Sequence, residues 1–233
     1  MKLLVLVGDG MADWPIEELG NRTPLEAAHT PAMDRVVQSG LLGQFRPIPE
    51  GFAPGSDIGN LSLFGYNPAE VFTGRAPLEA AKQGIKLAPN EVCFRCNLVT
   101  LSDGKMENFT SGHISTDEAT QIIAALNAEL VDAPIIFFTG VSYRHLAVVS
   151  VPPGLVDPLA NLKTTPPHDI TGRDIAPSLP SGDMQDLVCR FMDASQTVLE
   201  GHPVNAARLA GGKPPATSIW LWGQGRAANL DSY

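Results

Sequence analysis

A serine delivered by a glycine turn onto the start of a helix is the chain's clearest candidate for covalent chemistry. In Pro54-Gly55-Ser56-Asp57-Ile58-Gly59-Asn60-Leu61-Ser62-Leu63-Phe64-Gly65 the first two residues permit a sharp turn, and the spacing predicts a helix running to Phe64 that Gly65 or Pro68 ends. Orphan N–H groups and the positive end of the helix dipole favour a phosphate or an oxyanion beside the Ser56 hydroxyl, by about 0.3–1 kcal/mol at an exposed position. The same residues also make an ordinary capped helix after a loop, and the turn alone does not separate the two readings.

Other residue groups suit anions or cations. Asp9 follows the apolar run Leu3 to Val7; as the carboxyl end of a buried parallel strand, that position is where ligands bind in open α/β sheets, and a carboxylate there is a candidate metal ligand as well as a plain turn residue. Arginines recur beside loops: Thr73-Gly74-Arg75, Tyr143-Arg144-His145, Pro167-His168-Asp169-Ile170-Thr171-Gly172-Arg173 and Gly225-Arg226. A guanidinium fork fits phosphate and carboxylate alike, while a surface salt bridge explains any one of these arginines equally well. His113, in Ser111-Gly112-His113, is either a substrate contact or a loop residue. Cys93 and Cys96 form a C-x-x-C, but strand alternation points them to opposite faces, against a shared metal or a redox pair.

The elements that must position these groups alternate in kind. Residues 3–7 read as a buried strand and 41–45 as another short one. Thr30-Pro31 opens a helix that Gly40 closes, and the loop Thr73-Gly74-Arg75-Ala76-Pro77-Leu78-Glu79-Ala80-Ala81 leads into a helix that Gly84 ends. From Glu91 the pattern alternates, with Val92, Phe94, Cys96 and Leu98 on one face and a wet face opposite. A capping box at Ser115-x-x-Glu118 starts an amphipathic helix; strands follow at 134–139 and 146–151, then a helix capped by Ser181. The run Pro214 to Arg226 reads as a strand returning to the first sheet.

The 233 residues are 44% hydrophobic and 18% charged, enough for a sizeable core in one or two domains. A net charge of −9 argues against a nucleic-acid partner. The opening apolar run is too short for a signal peptide or a membrane span, and three cysteines without an export signal suit reduced thiols in the cytoplasm.

Several of these segments together, with Thr23-Pro24-Leu25-Glu26-Ala27-Ala28, Phe94-Arg95-Cys96-Asn97 and Ile219-Trp220-Leu221-Trp222-Gly223-Gln224-Gly225-Arg226, resemble the archaeal-type cofactor-independent phosphoglycerate mutases of the alkaline phosphatase superfamily, in order and over the whole chain. The resemblance implies an α/β fold: a partial three-layer α/β/α phosphatase-like domain over residues 1–89, an inserted α+β substrate-binding domain over 90–205, and a return into the first domain over 206–233. It implies Ser56 as nucleophile, forming a phosphoserine during interconversion of 3- and 2-phosphoglycerate. Arg75, Arg144, His168, Asp169, Arg173 and Arg226 would hold the small phosphorylated acid, with Arg95 and His113 as weaker matches. Two divalent metal ions, manganese first and zinc, cobalt or magnesium as alternatives, would have Asp9 and Ser56 as ligands. The family takes most of its metal ligands from a later half, so the expectation is an incomplete and inactive fragment. Two other readings stay open: a phosphotransferase of the same superfamily acting on another alcohol, homoserine-kinase-like, and a non-catalytic binding fragment.

Overall fold

The structure, a computed structural model, describes residues 4–52 and 54–230, which divide into two units at residues 46 and 47. The first unit holds a 3-10 turn (Glu17–Leu19) and two helices, α1 (Pro24–Ala27) and α2 (Pro31–Ser39). Thr23 and Glu26 close a reciprocal capping box on α1. Thr30 and Gly40 flank α2 as its spacing predicts. The two strands expected here are not found among the described residues: 4–8 and 41–46 are without regular structure, and Leu4, Leu6 and Leu41 are exposed. An apolar run makes a strand only where another strand takes up its backbone hydrogen bonds, and none of the described strands lies in this unit.

The second unit carries α3 (Ser56–Leu63), α4 (Pro68–Val71) and α5 (Arg75–Lys82), then β1 (Glu91–Ser102), β2 (Lys105–Asn108), α6 (Thr116–Glu129), β3 (Ile135–Val141), β4 (Arg144–Ser150), α7 (Val156–Ala160), α8 (Gln185–Leu199), α9 (Pro203–Ala210) and β5 (Ser218–Gly225). All sheet pairings are antiparallel. The long β1 lies between β4 and β5, β3 extends the sheet beyond β4, and β2 pairs with the far end of β1. This is a mixed α/β fold, as the chain's alternating elements imply. The run from Pro214 forms β5, which pairs with β1, where Ile219 and Leu221 join the main core.

Val92, Phe94, Cys96 and Leu98 of β1 bury against α6 and α8 with Ile122, Ile123, Val188 and Phe191. The opposite face was expected to be wet, yet α5 covers part of it: Ala76 and Ala80 pack on Cys93, Leu146 and Val148. The two cysteines thus point into different cores, and burial pushes the Cys93 thiol up to about 12, with Glu79 and Glu91 adding to the rise. Ser115 and Glu118 form the expected capping box on α6. Ser181 does not cap α8: its backbone pairs with Lys163, and the Gly182 N–H donates instead to the Gln185 side chain. No helix among the described residues is long and apolar enough to cross a membrane.

Candidate functional site

Strand register brings the site together on the α5 face of the sheet. Arg95 of β1 is paired with Trp222 of β5, and Asn97 with Arg144 of β4. Residues paired across antiparallel strands share a face, so these side chains project to one side. Trp222 Nε1 donates to Asn97 Oδ1 at 3.0 Å, and the Arg95 guanidinium carbon lies 4.2 Å from the centroid of the Trp222 ring.

The start of α5 is tied to the end of β5 by close backbone approach. A methyl group at Gly74 would overlap the Gln224 carbonyl, and one at Gly225 would overlap the Thr73 carbonyl. Thr73 Oγ1 donates to the Arg226 carbonyl at 2.6 Å. Gly225 therefore makes room for the chain itself. This contact sets Arg75 at the mouth of a cleft of about 600 Å³ lined by Arg75, Lys163, Thr164, His168, Asp169 and Trp222, among others. His168 Nε2 stands 3.6 Å from Asp169 Oδ1, and its ring meets Trp222 at a centroid distance of 5.5 Å. A second recess, of about 480 Å³, is lined by Glu79, Lys82, Arg95 and Arg144 among others, and its Arg95 stacks on Trp222 of the first. Burial holds the Arg95 guanidinium below its ordinary value; Glu79, paired with it at 3.0 Å, opposes this, and the charges of Arg75 and Arg144 reinforce it. Such a group of mutually repelling cations favours an anion placed among them.

Ser56 is the first residue of α3, after Gly55 at the cap, and its side chain is exposed. No side chain caps that helix start, so the hydroxyl is not engaged as a cap. The following residue links the serine turn to the cleft: Arg75 Nε donates to Asp57 Oδ2 at 3.0 Å.

The remaining predicted residues are distributed otherwise. Arg173 is exposed on the loop beside β2, whose Met106 N–H donates to the Arg173 carbonyl, and it is not among the residues lining the cleft. Arg226 Nη1 donates to Asp157 Oδ1 at 2.7 Å on the exposed surface. His113 is exposed, with φ of 53°, and its ring lies 6.4 Å from Tyr143; Tyr143 in turn meets Phe109, and Phe109 meets His168. Asp9 is exposed and lies in the first unit. Asp57, Lys163 and the stacking of Trp222 are additions that sequence reading did not assign. Trp222 was legible only as part of an apolar strand, because its partner Arg95 is fixed by register.

Among the described residues no three or more His, Cys, Asp or Glu side chains gather where they could hold a metal ion. Metals of this kind take roughly four to six donors. The described residues therefore do not by themselves supply a full set of metal donors. The groups they do present are guanidinium, ammonium and imidazole side chains, which suit an anion, and an exposed serine hydroxyl.

The fold is mixed α/β, with a glycine-turn serine tied through Asp57 to a cleft lined by Arg75, Lys163 and His168 among others. Residues 38–205 match the model of the 2,3-bisphosphoglycerate-independent phosphoglycerate mutases, and the chain belongs to that family. It is 50% identical over 233 residues to the 2,3-bisphosphoglycerate-independent phosphoglycerate mutase of Methanosarcina acetivorans, covering all of this chain and 57% of the relative. It is 44% identical over 237 residues to a probable enzyme of the same name from Geobacter sulfurreducens, of which it covers 58%. Among solved structures it resembles a Pyrococcus horikoshii protein (TM-score 0.71, 28% identity, 95% of this chain and 50% of that one). It also resembles the cofactor-independent phosphoglycerate mutase of Thermoplasma acidophilum (TM-score 0.59, 27% identity, 96% and 59%). The chain thus spans a little over half the length of the curated relatives it matches.

Proposed function

We propose that this chain carries the nucleophile and part of the substrate cleft of an enzyme that interconverts 3-phosphoglycerate and 2-phosphoglycerate through a phosphoserine. One observation carries the reading: the 3.0 Å bond from Arg75 to Asp57, which joins the Ser56 turn to the cleft lined by Arg75, His168 and Asp169. In the first step Ser56 Oγ gives up its proton and attacks phosphorus, the bond from phosphorus to the C3 oxygen breaks, and that oxygen takes up a proton. The C2 hydroxyl of the retained glycerate then loses its proton and attacks the phosphoserine phosphorus, the phosphorus–Oγ bond breaks, and Oγ takes up a proton. Arg75, Arg95, Arg144 and His168 hold phosphate and carboxylate meanwhile, because guanidinium forks bind both.

Asp9 and Ser56 are each a donor that this chain would offer to a divalent cation, manganese first and zinc, cobalt or magnesium as substitutes. The reading places the protein in the cytoplasm, in keeping with three unpaired cysteines, two of them buried.

The test uses the full-length, metal-loaded protein with 3-phosphoglycerate and no added bisphosphate. Formation of 2-phosphoglycerate is expected, with a phosphorylated Ser56 peptide after acid quench, and Ser56→Ala is expected to abolish both. Turnover that survives Ser56→Ala, or no conversion by the unsubstituted protein, overturns the reading.

A further inference from the structure

Asp57 follows the candidate nucleophile directly, yet phosphoryl transfer by Ser56 assigns it no role. Its carboxylate is only 16% exposed. Oδ2 accepts from Arg75 Nε at 3.0 Å; Oδ1 is buried and has no hydrogen-bond partner among the described residues. A methyl group on Gly55 would overlap Oδ1 and come within 3.0 Å of Arg75 Nη2. Carboxylate and guanidinium are therefore both folded against the backbone just before Ser56, in space that only a glycine leaves open.

The pair is lopsided in a useful way. The Arg75 side chain is 42% exposed and lines the cleft, and neither Nη has a partner among the described residues. A guanidinium engaged through Nε still presents both Nη groups as a fork to one anion. The buried end of the pair is the carboxylate and the open end is the cation. Held this way, a long and rotamer-rich side chain has less freedom left to lose when an anion arrives.

We propose that Asp57 is a positioning residue: through Nε it locks Arg75 beside the Ser56 turn, so that the two Nη groups form a preset receptor for phosphoryl oxygens. The inference rests on the reading of the Arg75 cleft as an anion site. Charge alone predicts the opposite of positioning, since removing a carboxylate near an anion site should tighten anion binding.

The experiment is a titration of the 233-residue chain with inorganic phosphate, followed by NMR of the arginine Nε–H groups, on the unsubstituted protein, Asp57→Ala, Asp57→Asn, Arg75→Ala and the double Ala variant. Asp57→Ala is expected to weaken phosphate binding about three- to tenfold by releasing one ordered side chain. Asp57→Asn keeps an acceptor for Nε and is expected to recover most of the loss; it also serves if Asp57→Ala fails to fold. In the Arg75→Ala background Asp57→Ala is expected to change nothing further. Unchanged or tighter binding in Asp57→Ala, or effects of the two single substitutions that add, overturns the positioning role while Arg75→Ala still weakens binding. If Arg75→Ala binds phosphate as the unsubstituted chain does, or the latter binds none, the cleft reading fails and the inference falls with it.

Discussion

Arg95 lies over the face of Trp222, its guanidinium carbon 4.2 Å from the ring centroid, while its Nη2 is held 3.0 Å from Glu79. Ring and carboxylate together fix an arginine that lines the second recess and stacks on a tryptophan that lines the first. A desolvated cation over tryptophan is worth about 1–2 kcal/mol. Trp222→Leu and Arg95→Ala are therefore expected to show a coupling of about that size in a double-mutant cycle of urea unfolding. Additive effects would mean that the stack contributes nothing of its own.

Arg75 is placed by a backbone contact rather than by its own side chain. Gly74 has φ of 149°, and a methyl there would overlap the Gln224 carbonyl. Gly74→Ala combines that overlap with a backbone region costing about 1–3 kcal/mol for other residues. The expected outcome is destabilisation by at least that amount together with a shifted Arg75 Nε–H resonance, both read by NMR and urea melts. A variant as stable as the unsubstituted chain would show that α5 and β5 do not need this approach.

Local signals were legible where they are self-contained. The Ser115–Glu118 capping box, the helix stop at Gly84 and the opposed cysteines of β1 all follow from residues near one another in sequence, and the structure has each. The strand at 3–7 was not legible, because hydrophobicity does not say whether a neighbouring strand is there. The site was half legible. Arginine-rich loops announce anions, but which arginines meet depends on register and on the Gly74–Gln224 contact: Arg75, Arg95 and Arg144 border neighbouring recesses, while Arg226 pairs with Asp157. The role of Asp57 depends on a partner 18 positions away, which local spacing does not announce.

Arg208 holds the His113 loop from below. Its side chain is 1% exposed, and it donates to Glu118 Oε2 at 2.8 Å, to the Pro214 carbonyl at 2.9 Å and to the Ser111 carbonyl. The loop needs such support, since Ser111, Gly112 and His113 all have left-handed φ, at 46°, 60° and 53°. Arg208→Met would leave one carboxylate and two carbonyls without this donor, and a loss of about 3–5 kcal/mol in urea unfolding is expected. Glu118→Gln, at a partly exposed position, should cost less. A loss under about 1 kcal/mol for Arg208→Met would place it with ordinary surface ion pairs.

His145 gives the chain a pH dependence whose sign can be worked out. The side chain is buried, the Gly140 N–H donates to its Nδ1 at 3.0 Å, and Nε2 has no partner among the described residues. Burial pushes its pKa down from 6.5 to about 4, with the Ser142 backbone pulling the other way. Between those values the unfolded chain binds more protons than the folded one. The stability tied to the neutral ring is therefore fully present above pH 6.5 and is lost as pH falls toward about 4. Its size is about 3 kcal/mol at most. Carboxylates titrate in part of the same window, so the measurement is a comparison: urea midpoints from pH 7.5 to 4.5 for the unsubstituted chain and for His145→Asn, whose amide oxygen can still accept from Gly140. The Asn variant is expected to lose less stability on acidification, the two curves converging as pH falls. Parallel curves would mean that folding leaves the proton affinity of His145 unchanged.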